Sequence, residues 1–272
     1  MWATLALTTA LHLAPAQAGT LELKNVRVTY GVLGQERKDV KELVPGDIFN
    51  VAFDIEGLQV GETGQVLYRM GMELIKAGKK EPEFRQEPRD LEANNTLGSA
   101  RVPAFARTTV GLDTPPGEYT LKVTITDRAA KQKQELTRSF TVVPPRLGIV
   151  QISLFAYSDN KGAAMPAPPL GVPGQAVLLH FAVVGFGLDK DKMQPNVVTE
   201  LTILDEAGKP VLAKPFSGTT QEVSAQYKKI LPMDFPIQLN RSGKFKVHMK
   251  VTDKLANKTA EQTLDLTVVE QK

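Results

Sequence analysis

The feature that most constrains this chain is that it states one pattern twice. Pro45-Gly46 leads into Phe49, Val51, Phe53 and Ile55 and closes on Gly57. Pro173-Gly174 leads into Val177, Leu179, Phe181 and Val183 and closes on Gly185, every member displaced by 128 positions. Strict alternation of apolar residues marks a half-buried strand, because successive side chains point to opposite faces. A second anchor is Gly117-Glu118-Tyr119, followed by Leu121, Val123 and Ile125 and ended by Thr126-Asp127. It returns 126 positions later as Gly243-Lys244-Phe245, then Val247, Met249, Val251 and Thr252-Asp253. The same offset carries on into Phe140-Thr141-Val142 and Leu266-Thr267-Val268. Ala77-Gly78-Lys79 and Ala207-Gly208-Lys209 match at 130, and small drifts of offset between collinear anchors are what loop insertions produce. A chain with this periodicity is expected to fold as two copies of one unit.

The units are placed at 19–143 and 147–270. In the first, strands are expected near 21–30, 47–56, 65–76, 100–112, 117–127 and 134–143, and the second repeats the order. Turn residues separate them, and no stretch of the units sustains helical spacing with caps. The fold class is therefore all-β, with each unit a two-sheet antiparallel sandwich. Aromatics are only 6% of the chain, so Val, Leu and Ile must supply most of the core. Pro144-Pro145 joins the units with little slack, because proline fixes φ and restricts the residue before it. That linkage predicts a semi-rigid pair standing end to end.

The run Pro115-Pro116-Gly117-Glu118-Tyr119-Thr120-Leu121-Lys122-Val123-Thr124-Ile125-Thr126-Asp127 resembles the penultimate strand of bacterial immunoglobulin-like repeats of exported proteins. It is similar to the same strand of polycystic-kidney-disease-type and macroglobulin-type sandwiches. The resemblance implies two tandem immunoglobulin-like domains and a life outside the cytoplasm. It also implies a corner role for Tyr119, with the ring filling the end of the sandwich and the hydroxyl tying the preceding loop. Phe245 stands at that place in the second unit, where it too is expected to be buried, and has no hydroxyl to tie. The resemblance brings no catalytic residue with it.

Residues 1–18 read as a signal peptide. Trp2 to Leu13 is apolar and free of Lys, Arg, Asp and Glu, and Ala16-Gln17-Ala18 gives the small-x-small pattern before Gly19, although no basic residue precedes the apolar stretch. A periplasmic or extracellular protein of the cell envelope is the expectation, with no other segment that could span a membrane. The absence of cysteine excludes disulfides, thiolate metal sites and cysteine nucleophiles. A net charge of +3, from 33 basic and 30 acidic residues, gives no reason to expect nucleic acid.

No catalytic, cofactor-binding or metal-binding residue is expected, and the ligand-binding residues are not specified by any motif. His180 and His248 lie on outward positions of strands assigned to opposite sheets, about 10 Å apart, so they cannot share a metal. Lys244, Lys246, His248 and Lys250 form an outward basic stripe, read as a solvated face or a shallow site for acidic groups. Asp127, Asp253, Asp189 and Asp191 sit at strand ends or in a loop, where capping competes with calcium ligation. The segments 31–44 and 156–172 are the connections best suited to recognition. The function expected is a non-catalytic exported binding or structural module for a protein or an envelope polymer, through loops or sheet edges. A periplasmic assembly chaperone and an accessory glycan-binding module are the alternatives.

Overall fold

Alternation of apolar residues dictates which faces close on one another, and the computed structural model shows the result for residues 19–38, 40–99, 101–157 and 165–270. The expected leader lies outside these described residues. In the first half, β1 (Glu22–Val28), β3 (Ile48–Glu56) and β6 (Val102–Thr109) form one sheet in the order β1-β3-β6. The facing sheet contains β2 (Glu42–Leu43), β4 (Gln65–Lys76), β5 (Phe84–Asn94), β7 (Gly117–Asp127) and β8 (Lys133–Val142), in the order β2-β8-β7-β4-β5. The second half repeats the plan. Its smaller sheet takes β9 (Gly148–Ala156), β10 (Met165–Pro166), β12 (Ala176–Val184) and β15 (Ile230–Gln238), in the order β10-β9-β12-β15. Opposite it lie β11 (Leu170–Gly171), β13 (Val197–Leu204), β14 (Phe216–Thr220), β16 (Gly243–Asp253) and β17 (Lys258–Val268), in the order β11-β17-β16-β13-β14.

These are two all-β, immunoglobulin-like sandwiches. Pairing is antiparallel except where β2 meets β8 and β11 meets β17, which are parallel. Those short strands are where the chain crosses from the smaller sheet to the larger. The alternating residues point inward as their spacing requires. Phe49, Val51, Phe53 and Ile55 pack with Leu121, Val123 and Ile125 in one core. Val177, Leu179, Phe181 and Val183 pack with Val247, Met249 and Val251 in the other.

The repeat extends to backbone conformations that no apolar pattern announces. Gly57 and Gly185 have φ of +78° and +68°. A Cβ on Gly57 would stand 2.1 Å from the carbonyl oxygen of Thr20, and one on Gly185 2.1 Å from that of Arg146. Only glycine tolerates both the left-handed backbone and that approach. Asn25 and Gln151, at the same place in their sandwiches, carry φ of +50° and +56° where β1 and β9 break register with their neighbours.

Two features depart from expectation. β5 is a strand beyond those expected, exposed along most of its length and without apolar alternation in its sequence. Phe245 is only half-buried, whereas Tyr119 is fully buried and donates its hydroxyl to the Pro115 carbonyl at 2.8 Å. The joint between the sandwiches is also more than a proline linker. Val44 and Leu112 of the first pack on Val150, Ala182 and Val184 of the second. The Gln151 side chain donates to the Gly46 carbonyl at 2.8 Å, and its backbone N–H reaches Asp47 Oδ1 at 3.3 Å.

Candidate functional site

Asp127, Asp253 and Asp189 prove to be local caps, and Asp191 contributes only its backbone N–H, to Asp189. Asp127 Oδ1 accepts the N–H groups of Ala129 and Ala130, and its Oδ2 accepts that of Gln59. Asp253 repeats the arrangement with Leu255, Ala256 and Gly187. Donor hydrogens thus point at every carboxylate oxygen, the opposite of what a cation needs. Asp189 accepts three backbone N–H groups, from Asp191, Lys192 and Gln194, and these bonds hold its carboxyl below the usual range.

The histidines sit on opposite sheets. His180 pairs across strands with Asp234 through Nδ1 at 2.7 Å, and His248 Nδ1 lies 3.1 Å from the Thr263 hydroxyl. The basic stripe on β16 is not a free positive surface. Lys246 meets Asp265 at 2.9 Å, Lys244 meets Glu206 at 3.5 Å, and His248 and Lys250 share Glu261 at 3.9 and 4.0 Å. The acids come from β17 and from the turn after β13, which the reading of a single strand could not reveal.

The segment 31–44, expected to be an available loop, helps to build the joint. Gln35 Oε1 accepts the N–H of Asp265 at 2.7 Å, and Tyr30 donates its hydroxyl to Gln262 at 3.1 Å. Burial raises the Tyr30 hydroxyl above its ordinary range, with the neighbouring Arg37 guanidinium opposing that shift. Arg37 is itself buried against Asp47, with N and O 2.9 Å apart. The segment 156–172 is anchored at its end, where β10 pairs with β9 and β11 with β17.

What remains open is an edge of the first sandwich. β6 pairs with β3 alone and ends its sheet. Opposite it the larger sheet extends one strand further, so β5 overhangs without cover. Cross-strand pairing puts Ala93, Leu91, Arg89, Gln86 and Phe84 on the core side of β5, beside Val66, Tyr68, Met70, Met72 and Leu74 of β4. Yet Phe84 is 46% exposed and Leu91 36%. A groove of about 360 Å³ lies between the sheets here, bounded by Tyr68, Met70 and Met72 on one side and by consecutive residues Pro103 to Arg107 on the other. Consecutive residues can line a groove only if the edge of the strand, with its backbone, faces it. From Ala104 to Thr109 every residue keeps its N–H, since the one proline, Pro103, lies near the start. The outer edge of β5, by contrast, carries Pro88 at a register break and the charges of Arg85, Glu87, Asp90 and Glu92, which discourage pairing.

The same place in the second sandwich is occupied by larger side chains, although Phe216 there stays 45% exposed. Paired positions equate Ala104 with Met233 and Ala106 with Phe235. Phe235 meets Phe216 of β14 edge to face, with ring centroids 4.9 Å apart. The segment 221–229 then covers the gap: Val223 packs on the core, and its N–H donates to Gln194 Oε1 at 2.8 Å. Aligning the repeats at these four positions is the signal in the sequence that would have exposed the difference.

No protein-family model matches the chain, and no curated protein matches it in sequence. Among solved structures it is similar to red sea bream transglutaminase, at 11% identity and a TM-score of 0.29. That match covers 93% of this chain, which spans only 32% of the transglutaminase. It is also similar to the C-terminal domain of the Streptococcus pyogenes antigen I/II-family protein AspA, at 9% identity and a TM-score of 0.30. There 92% of this chain and 100% of the other are covered. The fold is read from the strand pairing itself. Among the described residues no helix is long and apolar enough to cross a membrane, and no group of three or more His, Cys, Asp or Glu could hold a metal ion.

Proposed function

We propose that this chain is a non-catalytic binding module of the cell envelope, exported to the periplasm or beyond, that takes up an extended segment of a partner protein as an added strand along β6. The observation that carries this reading is the free edge of β6 lying over the uncovered shelf of β5. A strand laid there would satisfy the outer backbone groups of β6. Its alternate side chains would point inward onto Met70, Met72 and Leu91 and outward beside Phe105, which is 44% exposed. Arg89 and Arg107 flank the groove and enter no ion pair with the described residues, which favours a segment mixing apolar and acidic residues. An assembly chaperone that holds such a segment and then releases it is the neighbouring reading. A glycan-binding role has less to rest on, because the sole tryptophan is Trp2 and falls within the expected leader.

The test is selection of random twelve-residue peptides displayed against the protein, repeated on Ala104→Met, which installs the second sandwich's residue at the partly exposed lip of the groove and leaves the buried Ala106 in place. Peptides alternating apolar and polar residues should be enriched on the native protein and lost on the variant. Enrichment that survives the variant would contradict the site. Export is tested separately by the intact mass of the protein recovered from the envelope, which should begin at Gly19; material retaining Met1 would contradict it.

A further inference from the structure

The two sandwiches also differ at one end, and the difference leaves a cavity. In the first, Phe49, Phe140 and Tyr119 fill the end together, with Phe49 and Phe140 ring centroids 4.4 Å apart and Tyr119 and Phe140 5.9 Å apart. At the matching positions the second sandwich has Val177, Leu266 and Phe245. Two rings have been replaced by aliphatic side chains, of which Leu266 lines the cavity and Val177 packs behind it on Ile237 of the neighbouring strand. The connection into β16 is also shorter than that into β7, running through 239–242 rather than 110–116. The Lys76 amine that lies over the Tyr119 ring has no counterpart there, and the Arg241 guanidinium instead covers Phe245, 5.2 Å from the ring centroid.

The cavity measures about 240 Å³. Its walls are Ile203, Val211, Ile237, Leu239, Phe245 and Leu266, with Leu212 half-exposed at the rim. Gln238, Asn240 and Arg241 supply the polar side. Arg241 enters no ion pair with the described residues. An engineered apolar cavity of about 150 Å³ takes benzene, so this one has room for a ring or a short alkyl chain. A single guanidinium at the mouth of an apolar pocket selects for a carboxylate on that chain, through charge-assisted hydrogen bonds.

We infer that the outer end of the second sandwich binds a small monoanionic amphiphile, a short-chain carboxylate with its chain in the cavity and its carboxylate on Arg241. This site is separate from the β6 edge and does not depend on it. The pocket exists because the repeat lost aromatic volume at an end that nothing among the described residues covers, whereas the matching end of the first sandwich is packed and docked on its neighbour.

The experiment titrates the full chain with octanoate and with 1-octanol as the uncharged control, following methyl resonances of Ile203, Val211, Leu239 and Leu266 by NMR. Saturable shifts with octanoate at concentrations below about 10 mM, weaker with octanol, are expected. Leu266→Phe, which restores the residue found in the first sandwich, should abolish the shifts of the remaining methyls while keeping or raising Tm. Arg241→Gln should weaken octanoate about tenfold and leave octanol unchanged. No saturable shift, shifts that persist in Leu266→Phe, or equal affinity for octanoate and octanol with no response to Arg241→Gln would each overturn the assignment.

Discussion

The first and second sandwiches share their strand order, their left-handed glycines and their capping aspartates, yet each is complete where the other is not. The first packs three aromatic rings into its end and leaves its β5–β6 flank open. The second occupies the matching flank with Met233, Phe235, a partly exposed Phe216 and the 221–229 segment, and leaves a cavity at its end. The scaffold is therefore held by the shared features, while whatever distinguishes the copies is free to serve recognition. Exchanging residues between the copies at matched positions separates the two roles.

The largest effect is expected at the filled end. Tyr119→Ala removes a fully buried ring and its hydrogen bond and should cost roughly 3–5 kcal/mol. Phe245→Ala removes a half-buried ring beside a cavity and should cost about half as much. Equal losses in urea melts would mean that the two ends are packed alike. Next come Gly57→Ala and Gly185→Ala, which face the same clash with a backbone carbonyl. Each should lose about 2 kcal/mol or more, and by similar amounts, because the conflict is the same in both copies. A harmless substitution at either would break the equivalence.

A smaller effect concerns the joint. Since Gln151 and the Val44, Leu112, Val150, Ala182 and Val184 cluster hold it, replacing Pro144 and Pro145 by glycine should leave the small-angle scattering profile nearly unchanged. Adding Gln151→Ala and Val184→Asp should broaden it. A broad profile from the glycine pair alone would return the rigidity to the linker. The smallest effect belongs to Ala104→Met. Ala104 is only partly buried at the lip of the groove, so Ala104→Met alone should change stability by less than about 1 kcal/mol, whereas Ala106 is buried and Phe there should cost roughly 1–3 kcal/mol by overpacking. A larger loss from Ala104→Met would show that the flank is closed in solution.

Much of this architecture was legible from period-two runs such as Phe49 to Ile55 and Tyr119 to Ile125, because burial on one face imposes alternation on the sequence. The rest lacked that imprint. β5 is a strand by virtue of pairing with β4 and buries almost nothing, so Arg85 to Glu92 read as loop. The basic stripe of β16 read as a positive surface because Glu261 and Asp265 lie on another strand. The candidate site was hidden for a related reason. Ala104 and Ala106 are ordinary small residues until they are set against Met233 and Phe235, and an edge strand announces its free backbone only when the sheet order is known.

Amide hydrogen exchange across β6 tests the central claim most directly. In the protein alone, outward-facing N–H groups between Ala104 and Thr109 should exchange quickly, as unpaired edge groups do, while those of β7 in the interior of the larger sheet are protected. Addition of a peptide selected for binding should slow exchange at alternate residues of Ala104–Thr109 and leave the edge of β15 unaffected. Protection that appears on β15 instead, or on neither edge while the peptide is bound, would contradict the account.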